Sequence, residues 1–202
     1  MKRADNFCAE LPQDYEQVKV IDAKNNKKFI IAMNAAAILM TLAVGFFAIL
    51  LRFGLPIDME SVFSGPTELL VADVVFLVSM VAYVILHELT HGIVYKVMTG
   101  QKLTFGLTLT VAFCGVPNIY VNRKTALVAV LAPFVLFSVI FIPLIAFLPD
   151  PYALAAALVF AIHFGGCAGD LYDAILMIFG MKGQLLMRDT GPVQTFYLKK
   201  KG

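Results

Sequence analysis

The sequence predicts an all-α membrane protein with about four transmembrane helices and a short β-strand or hairpin element between helices two and three. Three observations support this fold class. Of 202 residues, 60% are hydrophobic and only 15% are charged, and the mean hydropathy is +0.83. This composition is far too apolar for a soluble domain of this length. The apolar residues are gathered into long runs, and the Lys and Arg residues are unevenly shared among the segments that connect them.

The apolar runs are each long enough to cross about 30 Å of hydrocarbon as a helix. They are Phe29–Leu51, the run from Leu69 to about Met98, Thr125–Leu148 and Tyr152–Gly180. Pro133 and Pro143 interrupt the third run and predict kinks, which membrane helices tolerate. The predicted organisation is an N-terminal segment over residues 1–28, a four-span membrane domain over residues 29–180 and a C-terminal tail over residues 181–202.

The positive charges predict the orientation of these spans. In chain order, the two ends and the three connections carry six, one, four, zero and five Lys or Arg residues, where Lys96 at the end of the second run is counted with the connection that follows it. Cytoplasmic loops are enriched in these residues, so both termini are expected in the cytoplasm of a multi-pass plasma-membrane protein. The net charge of +2 is too small to indicate a nucleic-acid surface.

The stretch "ILHELTHG" places polar residues at the end of the second span, where inserting ionisable side chains into the membrane costs free energy. His87 and His91 are about 40° apart around a helix and one turn apart along it, so both imidazoles face one point. This spacing suits two ligands of one metal ion, with zinc the default. Glu88 lies close enough to take a proton from a water at the metal, as a general base does. The alternatives are snorkelling polar residues or a buried hydrogen-bonded cluster.

A third ligand is expected from the fourth span, where "HFGGCAGDLYDA" offers the candidates His163, Cys167, Asp170 and Asp173. Helical spacing puts the first three on one face and Asp173 at its margin. His87 lies 18 residues after Leu69 and Asp170 lies 18 residues after Tyr152, so both are about 27 Å along their spans. His163 is roughly 10 Å shallower. Depth therefore argues against His163 but does not separate Asp170 from Asp173. Asp170 is the favoured third ligand, and for His163 a buried hydrogen-bonded or supporting group is as good an interpretation as a catalytic one.

The loop after the second span contains an alternating stretch, Leu103–Phe113, followed by the turn residues of "CGVPN". Strict alternation of apolar and small or polar residues is typical of a β-strand. Such a strand could simply pack against the helices. It could also offer an edge to which an extended substrate adds as a further strand.

The segments "HELTHGIVYKVMTGQ", the alternating strand, "GVPN" and "GDLYD" together resemble the site-2 protease class of intramembrane zinc metalloproteases. The whole chain, including the lead-in "LPQDYEQVKVID", is similar to a family of small four-span bacterial membrane proteins described as zincin peptidases. The resemblance implies that His87 and His91 are zinc ligands, that Glu88 is the catalytic carboxylate and that Asp170 supplies the third ligand. The chain departs from better-known members in having "AGDLYD" in place of an Asn-Pro-Asp-Gly-like setting and in lacking a PDZ insertion.

The function predicted is therefore a zinc-dependent intramembrane peptidase that hydrolyses peptide bonds of membrane-associated substrates through a metal-activated water. Its expected partners are a membrane protein or peptide substrate and the lipid bilayer. The alternative is a non-catalytic, metal-stapled membrane binding or escort protein. Glu88 favours the enzyme, because a structural zinc site is closed by four ligands and has no use for a carboxylate beside an open position. A solute carrier is disfavoured, because one polar cluster gives no continuous polar path.

Overall fold

The computed structural model describes residues 6–107 and 112–200, and it is a mixed α/β protein. The prediction of an all-α protein is wrong, because a five-stranded antiparallel sheet with strand order β1-β5-β6-β7-β2 accompanies the helices. The helices are α1 (Lys27–Phe53), α2 (Met59–Val62), α3 (Pro66–Thr99), α4 (Arg123–Phe147), α5 (Asp150–Gly166) and α6 (Ala168–Ile175), which continues as a π-helical turn (Leu176–Gly180). The strands are β1 (Phe7–Cys8), β2 (Tyr15–Asp22), β3 (Thr104–Leu107), β4 (Ala112–Gly115), β5 (Tyr120–Asn122), β6 (Leu185–Asp189) and β7 (Val193–Lys199).

The apolar runs form helices close to their predicted bounds. Within the described ranges, three helices are long and apolar enough to cross a membrane: α1, α3 and α4. The fourth run is two helices, α5 and α6 with its π-helical turn, and this bent pair makes a fourth span if it is counted as one. Many large apolar side chains on the long helices are exposed, including Leu39, Leu77 and Val139. Apolar surface of this extent is typical of a membrane-contacting protein.

The five-stranded sheet joins segments that are far apart in the sequence. Strands β1 and β2 come from the N-terminal segment, β5 from the connection between α3 and α4, and β6 and β7 from the C-terminal segment. In the pairing of β2 with β7, Tyr15 lies opposite Lys199. A local periodicity cannot reveal such distant partners, although the alternation of Val18 and Val20 with polar residues in β2 was a strand signal. The hydrophilic ends of the chain thus meet in one sheet.

The predicted strand Leu103–Phe113 corresponds to a hairpin rather than to one continuous strand. Strands β3 and β4 pair antiparallel, with Phe105 opposite Cys114. Residues 108–111 of that prediction lie outside the described residues. The sequence predicts a strand or a hairpin between the second and third long helices, and the structure has a hairpin.

The chain divides into two compact units. The first comprises Met1–Met33, His87–Pro133 and Gly169–Gly202. It contains both sheets and a hydrophobic core built around Val121, Met187 and Phe196. The second comprises Asn34–Leu86 and Phe134–Ala168, with a core of Tyr83, Phe137, Phe141, Ala156, Val159 and Phe160.

Candidate metal centre

Three of the predicted ligands come together in the first unit. The Nε2 atoms of His87 and His91 are 3.2 Å apart. An oxygen of Asp170 lies 3.2 Å from His87 Nε2, and its other oxygen lies 3.5 Å from His91 Nε2. Both histidines are buried, and Asp170 is half-buried at the start of α6. The one-turn spacing on α3 brings the imidazoles together, as expected from the helix geometry.

These distances fit a zinc ion. Zinc bonds of about 2.0–2.2 Å to nitrogen and oxygen in a tetrahedron place neighbouring ligand atoms about 3.3–3.6 Å apart. The two imidazole nitrogens are 3.2 Å apart, and each lies 3.2–3.5 Å from a different oxygen of Asp170. Asp170 Oδ2 is the oxygen that lies 3.2 Å from His87 Nε2, and it is buried with no other hydrogen-bond partner among the described residues. A buried carboxylate oxygen is costly without a partner, and a cation between these donors would provide one.

The ring of His91 is oriented by the backbone of α4. Its Nδ1 atom lies 2.8 Å from the carbonyl oxygen of Ala129. A carbonyl can only accept a hydrogen bond, so Nδ1 carries the proton and donates it. The lone pair of Nε2 then faces His87 and Asp170. Hydrogen bonds of this kind fix the tautomer and the ring plane of metal-binding histidines.

Glu88 is half-buried beside this cluster and belongs to the same unit. Its carboxylate accepts a hydrogen bond from the backbone N–H of Cys114 in β4. The hairpin therefore lies against the helix at the residue that follows the first histidine. Glu88 is outside the set of three donors that converge, which leaves its carboxylate for work other than metal ligation.

Asp173, the alternative third ligand, is buried on α6, also in the first unit. It does not belong to the group of donor atoms that converges with His87 and His91. Of the two aspartates between which the sequence could not decide, the geometry brings Asp170 to the histidines.

His163 and Cys167 lie in the second unit. His163 is fully buried, and its two ring nitrogens are each 3.2 Å from a hydroxyl, that of Tyr83 and that of Ser138. Six aromatic rings surround it, those of Tyr83, Phe134, Phe137, Phe141, Phe160 and Phe164. This is the buried, hydrogen-bonded arrangement that the sequence left open for His163. The predicted single face from His163 to Asp170 is interrupted, because the helix breaks at Cys167.

A hydrogen-bonded pair near the site was missed at the sequence level. The hydroxyl of Tyr95, one turn after His91, donates to Asp189 Oδ2 at 2.7 Å. Burial raises the pKa of the Asp189 carboxyl to about 6, although the hydrogen bonds from Tyr95 and from the Gly191 N–H oppose the shift. Burial, with the nearby carboxylates of Asp189 and Glu88, also raises the pKa of the Cys114 thiol to about 12. The available signal was the spacing His87, His91, Tyr95, which continues one polar stripe along α3.

Comparison with known proteins agrees with this geometry. A family model described as "Putative zincin peptidase" matches residues 80–185, just over half of the chain and the part that contains all three donors. No curated protein and no solved structure matches the chain. The family implies zinc as the cofactor, and the His87, His91 and Asp170 side chains fit that ion. The chain belongs to this zincin peptidase family.

Proposed function

We propose that the chain is a zinc-dependent intramembrane peptidase of the site-2 protease type, which hydrolyses peptide bonds of membrane-associated substrates. The observation that carries the proposal is the convergence of His87, His91 and Asp170 at 3.2–3.5 Å, with the carboxylate of Glu88 beside them. Three protein ligands leave a fourth position open, which is the arrangement of catalytic rather than structural zinc sites.

His87, His91 and Asp170 would hold the metal, and Glu88 would act as the general base. Zinc, when bound, supplies a Lewis acid that polarises the scissile carbonyl and makes a water acidic enough to react near neutral pH. Glu88 accepts the proton of the attacking water as the new C–O bond forms. It then passes that proton to the amide nitrogen, so that the C–N bond breaks and an amine leaves. The Cys114 N–H holds the Glu88 carboxylate in place for both transfers.

Helix length supports a site inside the membrane near one face. Helix α3 has 34 residues, which is about 51 Å and exceeds the roughly 30 Å hydrocarbon core. His91 lies eight residues before its end at Thr99, or about 12 Å along the axis. The ligands are then embedded in the bilayer close to the end at which α3 emerges.

The sheet supports four spans with both termini in the cytoplasm. Strand β2, before α1, pairs with β7, after the last span, and β1 pairs with β5, between α3 and α4. Backbone hydrogen bonds between strands require the strands to lie on one side of the membrane, so an even number of crossings separates these segments. The same three segments carry most of the Lys and Arg residues, and this bias supports a cytoplasmic position for that side.

Strand β4 is the proposed platform for the substrate. The Cys114 N–H donates to Glu88, so the N–H and C=O groups of Cys114 point away from β3, and those of Ala112 point the same way because directions alternate along a strand. An extended peptide added to this outer edge would run past Glu88. Strand addition suits a peptidase because a helical amide must unwind before it reaches a metal.

The test is cleavage of a membrane-spanning test peptide by purified protein in detergent, with zinc counted in the same samples. We expect about one zinc per chain, cleavage that stops on chelation and cleavage that returns when zinc is restored. Zinc binding without any cleavage by the loaded protein would favour the alternative, a metal-stapled binding or escort protein.

A further inference from the structure

The Tyr95–Asp189 pair is buried and has no role in the chemistry proposed above. Tyr95 is 1% exposed and Asp189 is 4% exposed. The Tyr95 hydroxyl donates to one oxygen of Asp189 at 2.7 Å, and the Gly191 N–H donates to the other at 2.8 Å. A carboxylate is expensive to bury, and here both of its oxygens are occupied by donors from different parts of the fold.

Asp189 also contacts β4 through its backbone. Its carbonyl oxygen accepts a hydrogen bond from the Val116 N–H at 2.8 Å. Gly115 packs so closely against the turn after β6 that a Cβ there would clash with the backbone of Gly191. Gly191 itself has a φ of +96° and is covered by the ring of Phe113. The turn therefore holds the end of β4 on several sides.

Cys114 lies in β4 just before Gly115 and Val116, and it links the strand to α3. Its backbone N–H donates to Glu88, which precedes Tyr95 by seven residues on the same helix. Contacts thus run from Tyr95 through Asp189 to Val116 and Gly115, then through Cys114 to Glu88. The position of β4 relative to the helix is fixed at two points about two turns apart.

We propose that the Tyr95–Asp189 pair is a clamp that positions the edge of strand β4 beside Glu88 for the binding of an extended peptide. The inference rests on the proposed peptidase function, for which both residues are positioning residues. If the clamp is released, β4 keeps its pairing with β3 but loses its fixed place on α3. An extended peptide would then bind more weakly, because the strand that receives it is no longer held in its binding position.

The first measurement uses zinc-free protein, so that it does not depend on activity. Cys114 is a buried thiol within β4, and its rate of labelling by a maleimide reports the opening of the strand. In a Cys8→Ala/Cys167→Ala background, Tyr95→Phe is expected to raise this rate about tenfold or more, because one charge-assisted hydrogen bond is lost. Asp189→Ala should act in the same direction, and the double variant should label no faster than the faster single variant.

Tyr95→Phe is the cleaner variant, because it leaves the carboxylate that raises the pKa of the Cys114 thiol. Tyr83→Phe is the matched control: it removes another buried tyrosine hydroxyl of α3, one that contacts His163, and should leave Cys114 labelling unchanged. A labelling rate that Tyr95→Phe and Asp189→Ala do not change would overturn the clamp.

The second measurement separates positioning from general stability. In zinc-loaded protein, Tyr95→Phe should keep full zinc content and raise KM for the test peptide about tenfold, with a smaller change in kcat. Partial unfolding would lower the active fraction and leave KM unchanged. Faster labelling with an unchanged KM would overturn the positioning role. A wild type that cleaves no peptide, together with faster labelling in Tyr95→Phe, would refute the peptidase function and leave the clamp as a structural device.

Discussion

Replacing Asp170 with Asn is expected to weaken zinc binding by at least about 100-fold. The substitution keeps the size of the side chain, but it removes the negative charge that faces the two imidazoles at 3.2 and 3.5 Å. Changing a residue that only supports a metal ligand typically costs 10–100-fold in affinity, so the loss of a charged ligand should cost no less than the upper figure. A 100-fold loss corresponds to about 2.7 kcal/mol. Competition with a chromophoric chelator in detergent measures it directly.

Asp173→Asn is the matched control for this prediction. It makes the same chemical change three residues further along α6, at a buried aspartate that lies outside the converging donors. We expect its zinc affinity to stay within about tenfold of the wild type. Losing a group that supports a ligand costs about 10–100-fold, and Asp173 is not a ligand, so its loss should cost no more than the lower figure. If Asp173→Asn releases zinc and Asp170→Asn retains it, the assignment of the third ligand is refuted.

Three further predictions follow from the site, the spans and the sheet. His87→Ala/His91→Ala protein should bind no zinc at a chelator concentration that leaves the wild type loaded; equal zinc in both proteins would refute the donor set. Tags at Met1 and at Gly202 should both be cytoplasmic and a reporter near Asp58 should be external, whereas termini on opposite faces would remove one span. The pKa of Asp189 is about 6 in the fold against 3.8 for a free group, so the folded state binds more protons between these values. The free energy of unfolding of zinc-free wild type should therefore fall by about 2 kcal/mol more than that of Asp189→Asn as the pH rises from 4 to 6. Chemical denaturation of both proteins across this range measures the difference, and an equal slope in both would contradict the prediction.

The helices could be predicted from the sequence because their signal is local. The apolar composition and the length of a run such as Phe29–Leu51 are enough to predict a helix, and this run lies within the observed α1. The five-stranded sheet could not be predicted in this way. Its strands are between two and eight residues long, and β2 finds its partner, β7, at the other end of the chain. The energy of such pairing appears only after the intervening helices have brought the strands together.

The candidate site shows the same difference between local patterns, which the sequence reveals, and contacts between distant residues, which it does not. His87, Glu88 and His91 are neighbours within one helical turn, so their spacing alone indicates a site. Asp170 required a comparison of depth between two spans, and the sequence could not separate it from Asp173. The Tyr95–Asp189 hydrogen bond joins residues that are 94 positions apart, and no periodicity links them. Zinc binding by these ligands and catalysis by Glu88 remain predictions.

The measurement that tests the central claim most directly is the cleavage rate of Glu88→Gln protein with its zinc counted in the same sample. Glutamine keeps the size of the side chain and an oxygen for the Cys114 N–H, but it cannot take the proton of the attacking water. The account predicts zinc content equal to that of the wild type and cleavage of a membrane-spanning peptide reduced by a factor of about 10²–10⁴. Cleavage at the wild-type rate by zinc-loaded Glu88→Gln protein would contradict it.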